Sequence, residues 1–74
     1  MICKVKYFNE RAAAYAGREY TYRSELPLQI YDKVLVPVKD SEDKRAIVTA
    51  IDLPESAIDP AWADAVKNIE RYDR

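Results

Sequence analysis

Histidine is missing from the 74 residues, and cysteine, methionine, tryptophan, phenylalanine and glycine occur once each. Without imidazole there is no histidine general base, no histidine-based triad and no zinc centre of the imidazole type. A single cysteine, Cys3, allows neither an intrachain disulfide nor a thiolate cluster, and so removes the framework common in small secreted domains. With Gly17 as the sole glycine, neither a Walker-type phosphate loop nor a dinucleotide fingerprint can be written. No apolar run approaches the roughly 20 residues of a membrane-spanning helix. The start, MICKVKYF, alternates where a signal peptide would hold a continuous apolar stretch. A cytoplasmic protein away from membranes, without a cofactor or metal, is therefore the expectation. Charge of one sign is also lacking. Twelve basic and thirteen acidic residues give a net charge of -1. That argues against a surface dominated by phosphate contacts while leaving room for a local patch.

What is present is enough apolar material for one core. The hydrophobic fraction of 49 %, with no repeat or low-complexity stretch, predicts a single ordered domain over residues 1–74. Alternation marks a first strand over 2–8, with Cys3, Val5 and Tyr7 on the core face and Ile2, Lys4, Lys6 and Phe8 on the other. Residues 11–17 read either as a short helix, capped by Asn9 and stopped by Gly17, or as the loop of a wide hairpin. Strands are predicted over 19–23, with Tyr20 and Tyr22 on one face, and over 33–38, with Val34, Val36 and Val38 together. Pro37 has no amide hydrogen and marks an edge, a bulge or a strand end. Leu26 to Ile30 reads as a connector with apolar anchors packed over an open edge. Lys39 to Lys44 is a charged loop without glycine. The next strand, 45–52, carries apolar residues on both faces. Asp59-Pro60 has the form of a helix cap followed by proline at the first helical position. Trp62, Ala65, Val66, Ile69 and Tyr72 then form a stripe at helical spacing, which predicts a docked helix over 60–72.

The order of these elements gives a mainly β fold with a C-terminal α-helix. Residues 19–52 carry a resemblance. Asp32-Lys33-Val34-Leu35-Val36-Pro37 and Ala46-Ile47-Val48 resemble the strand pair of an SH3-like small barrel, in which a hydrophobic-Gly-Asp step feeds a V-x-V-P strand. A similar arrangement occurs in the N-terminal DNA-binding domain of the PriA primosomal helicase and in small barrel proteins of phages and mobile elements. Tyr31 departs from that pattern, standing where the glycine of the step would be. The resemblance implies an SH3-like curved sheet or partly open barrel of mobile-element origin, and carries over no binding residue.

Two surfaces stand out. Residues 1–23 hold five basic and two acidic residues, a balance of +3. Lys4, Lys6, Arg18 and Arg23 interleave there with Tyr20 and Tyr22. Cations along a backbone and rings beneath bases are how single strands are held. The alternative is a solvated strand face backed by core tyrosines. Residues 52–74 balance at -3, so the two ends could pair within the fold or between copies. Trp62 is either the residue that closes one end of the core, the commoner role, or an anchor for a protein partner. Asp40, Glu42 and Asp43 lack the spacing of a calcium loop and read as an exposed charged turn. Cys3 faces inward with no partner to activate it. The leading expectation is a non-enzymatic protein-binding or accessory module, with weak homodimerisation through an open edge as one form of it. Single-stranded nucleic-acid binding is the alternative.

Overall fold

The computed structural model describes residues 1–38 and 42–73, so part of the charged loop starting at Lys39 lies outside the described residues. Among those described, seven strands form one sheet: β1 (Ile2–Asn9), β2 (Ala14–Tyr15), β3 (Tyr20–Ser24), β4 (Lys33–Val36), β5 (Lys44–Leu53), β6 (Asn68–Ile69) and β7 (Arg71–Tyr72). Their order is β6-β3-β1-β5-β4-β7, with β2 added on β1. The outermost members, β6 and β7, are consecutive pieces of one tail separated by Glu70 alone. β6 runs parallel to β3, pairing Ser24 with Ile69, and β7 runs antiparallel to β4, pairing Val34 with Tyr72. One short segment thus bridges both ends of the sheet and brings it close to a closed barrel.

The core follows the alternation. Cys3 and Val5 from β1, Val34 and Val36 from β4, and Ala46 and Val48 from β5 are fully buried. Tyr22, Leu28 and Ile69 complete the cluster, and Leu26, Ile51 and Tyr72 pack against it. Curvature comes from β5, whose register against β1 shifts twice, between Ile2 and Lys4 and between Lys4 and Val5. Each shift places an extra residue on β5, which bends the strand and re-aims its side chains. This explains the two apolar faces of that strand: Ala46 and Val48 point inward before the shift, and Ile51 reaches the core after it. β4 ends at Val36, directly before Pro37, as a residue without an amide donor requires.

Two expectations need correction. Residues 60–72 are not an α-helix. Asp59 caps the segment as expected, its side chain accepting from Ala61 N at 2.9 Å, but the turns that follow are 3₁₀ and end at Ala65. Beyond Ala65 the chain is extended. Val66, Asn68, Ile69 and Tyr72 each favour helix less than alanine by some tenths of a kcal/mol. The open edges of β3 and β4 offer ladder hydrogen bonds, and burial of Ile69 contributes about 1.5–3 kcal/mol. Tertiary pairing therefore overrides the helical period. Ile2, placed on the solvent face by parity, is 4 % exposed. A second 3₁₀ turn, Glu55–Ala57, is tied to Arg23, the cross-strand partner of Ile2, by a two-pronged ion pair.

Residues 11–17 resolve as a hairpin. Asn9 Oδ1 accepts from Ala12 N at 3.1 Å, Phe8 pairs with Tyr15, and Gly17 adopts φ +93°. The connector Leu26 to Ile30 carries a turn in which Asp32 N donates to Gln29 O and Tyr31 has φ +76°. This is the left-handed region glycine favours, at the position where the resembled barrels carry glycine.

Candidate functional site

The six residues of the basic, tyrosine-bearing face do not stay together. Lys4 and Lys6 lie half-buried on the outer face of β1, opposite Cys3 and Val5. Arg23 shares that outer face but is engaged, with Nη1 and Nη2 donating to the Glu55 carboxylate at 2.9 and 3.1 Å. The pairing holds the Glu55 carboxyl below its ordinary value, chiefly through the hydrogen bonds. Tyr22 points inward and is 5 % exposed. Its hydroxyl donates to Pro37 O at 3.0 Å and lies 2.7 Å from the Tyr7 hydroxyl. Burial, and then the bond to Tyr7, push the Tyr22 phenol well above its ordinary value. It is a structural strut, not a stacking platform.

Tyr20 and Arg18 instead help to build a groove at the mouth of the barrel. The Tyr20 ring stacks on Tyr7 with centroids 4.4 Å apart and planes at 14°. The Arg18 guanidinium sits 6.0 Å from the Tyr20 centroid, and Lys44 Nζ 5.3 Å from that of Tyr7. Thr21 and Tyr22 from β3, Pro37 and Val38 just past β4, Ala65 at the end of the 3₁₀ segment and Lys67 just beyond it complete the lining. The space between is about 230 Å³. The two strand and turn ends have local causes: proline ends β4, and the backbone is extended after Ala65.

Trp62 is 67 % exposed, so the expectation that it closes the core is overturned. In a 3₁₀ turn residues three apart lie one above the other. Ala65, three residues on, lines the groove, and Trp62 itself does not. The sequence reading did not single out Tyr7, Pro37, Val38 or Lys67 as groove residues. Tyr7, expected on the core face, does pack against the core and lines the groove as well; Val38, expected on one face with Val34 and Val36, lies beyond the end of β4. A second exposed patch lies elsewhere, where Ile30 and Tyr31 are 47 % and 76 % exposed.

Among the described residues no group of three His, Cys, Asp or Glu side chains lies close enough to hold a metal ion. Cys3 is fully buried, and desolvation pushes its thiol from 9.0 up to about 11. Among the described residues no helix is long and apolar enough to cross a membrane. Fold and groove together define a small β domain with a nearly closed, barrel-shaped sheet and a shallow aromatic hollow at one mouth. Set against protein-family models, curated proteins and solved structures, the chain matches none of them.

Proposed function

We propose that this chain is a non-enzymatic binding module of SH3-like build that engages a protein partner, or a second copy of itself, through the exposed Trp62. The carrying observation is Trp62. A large ring held two-thirds in water on a capped 3₁₀ turn gains nothing for the core, and buried aromatic anchors dominate protein interfaces. The SH3-like part is supported by the end of β4 at Pro37 and by the left-handed backbone at Tyr31. Crosslinking of the intact protein followed by identification of the captured chain tests the reading, with light scattering for self-association. One defined partner or oligomer is expected, lost in Trp62→Ala while the melting temperature holds. A protein that stays monomeric and captures nothing, or a partner retained by Trp62→Ala, defeats it.

Single-strand nucleic-acid binding keeps one favourable observation, the cations Arg18 and Lys44 set against the Tyr7–Tyr20 stack. The separation of Lys4 and Lys6 from those rings counts against it.

A further inference from the structure

We infer that the groove is the unclosed half of the barrel seam, and that it receives an extended segment of a partner protein as an added strand on the edge of β3. This contact is separate from the one through Trp62. β3 and β1 pair without a shift from Arg23 opposite Ile2 to Tyr20 opposite Val5. In an antiparallel pair alternate residues exchange both main-chain hydrogen bonds with the residue opposite, and those in between turn theirs to the other edge. Met1 and Ser24 exchange theirs, at 2.9 and 2.8 Å. By alternation Tyr22 and Tyr20 bond to β1, while Arg23 and Thr21 face the other edge. Arg23 does so, its N–H donating to Lys67 O at 2.9 Å. The tail's ladder stops there, because the chain up to Ala65 is wound in the 3₁₀ turn. Among the described residues the N–H and C=O of Thr21 have no hydrogen-bond partner. Thr21 lines the groove.

The opposite side of the seam is already satisfied. Lys33 O accepts from Asp73 N at 3.0 Å, so Lys33, Leu35 and, next in alternation, Pro37 face the seam. Pro37 has no N–H, and its carbonyl accepts from the Tyr22 hydroxyl at 3.0 Å. What Thr21 lacks is one acceptor and one donor at main-chain spacing, which a residue of an extended peptide supplies. The chain's own tail does this one pair along, with Asn68 beside Arg23. The residues flanking the one opposite Thr21 point inward, as Tyr20 and Tyr22 do. They meet a floor of Tyr7, Tyr20 and Tyr22 beside Val38, which suits apolar side chains. Among the described residues every strand already belongs to the sheet, so a second copy offers no free strand to insert.

The test follows main-chain amides by NMR in the isotope-labelled protein. In the free protein the Thr21 amide should exchange with solvent at least about tenfold faster than those of Tyr22 and Arg23. The probe is a blocked pentapeptide, Lys-Val-Thr-Val-Lys, beside a counterpart methylated on its central amides. The unmethylated peptide should shift the Thr21 amide saturably and slow its exchange, and the methylated one should bind about tenfold more weakly. Thr21→Pro, which removes an N–H the fold does not use, should weaken the peptide similarly; if that variant does not fold, the methylated peptide decides. A Thr21 amide as slow as that of Arg23 in the free protein, equal binding of both peptides, no binding, or shifts centred on Trp62 would each overturn the inference. So would a Thr21 shift that grows with protein concentration alone, which would give the edge to a second copy.

Discussion

Tyr31 shares the left-handed region with Ala13 and Asp52 and lies deepest in it of the three. Its φ of +76° is strained for any side chain with a Cβ, by about 1–2 kcal/mol, and its ring is mostly in water. Tyr31→Gly removes that strain but frees the unfolded chain by about 0.4–1 kcal/mol. The melting temperature should therefore hold or rise. Tyr31→Val, with a branched Cβ in the same backbone well, should lose about 1–2 kcal/mol. Equal losses in chemical denaturation would mean that the ring itself packs against something. Cys3 makes a second prediction, in pH. Below 9.0 the thiol keeps its proton in both states; between 9.0 and about 11 the unfolded chain loses it first. Stability should fall as pH rises across that window, because the folded state then binds more protons. Tyr22, raised above its ordinary 10.0, adds to the fall further up. Melting curves from about pH 8 to about pH 11 should show the early part of the decline flattened in Cys3→Ala. A thiol reagent at neutral pH should leave the native protein unmodified and titrate one group after denaturation.

The tail is the element whose reading turned on competition between local and tertiary forces. Asp59-Pro60 is a sound start signal and it was honoured, since Asp59 caps a turn. The stripe from Trp62 to Tyr72 was ambiguous by nature, because residues spaced for one side of a helix can also alternate between strand pieces broken at Glu70. Nothing in the tail's own sequence announces that β3 and β4 lack neighbours. That fact belongs to the rest of the chain. The two models of the tail assign energy to different residues. A docked helix rests on Trp62, whereas strand closure rests on Ile69, which is 2 % exposed. Ile69→Ala should cost about 2–5 kcal/mol and Trp62→Ala no more than about 0.5 kcal/mol, both read by urea denaturation. The reverse order would restore the helix. The ion pairs Arg45–Asp73 and Arg71–Asp43 that flank β7 are exposed, and such pairs contribute about 0–1 kcal/mol each. Raising the salt should accordingly leave stability nearly unchanged.

At the scale of the whole molecule, what could be read in advance was what period-two alternation encodes. The strands near 2–8, 19–23, 33–38 and 45–52, the inward set Cys3, Val5, Val34 and Val36, and the strand end at Pro37 all follow from pleat geometry and the chemistry of proline. Closure was not legible, because it depends on two edges distant in sequence meeting one five-residue segment. The groove was only half legible for the same reason. Tyr20 and Arg18 announced themselves, but Lys67 and Val38 become neighbours only once the sheet curves. The order in which these parts leave the ribosome then matters. Until residues 68–72 emerge, a nascent chain can pair β1, β3, β4 and β5, yet it carries two bare ladders and a core open where Ile69 belongs. Such an intermediate is adhesive, so synthesis of this protein passes through an interval of vulnerability that closes once residues 68–72 are free to pair.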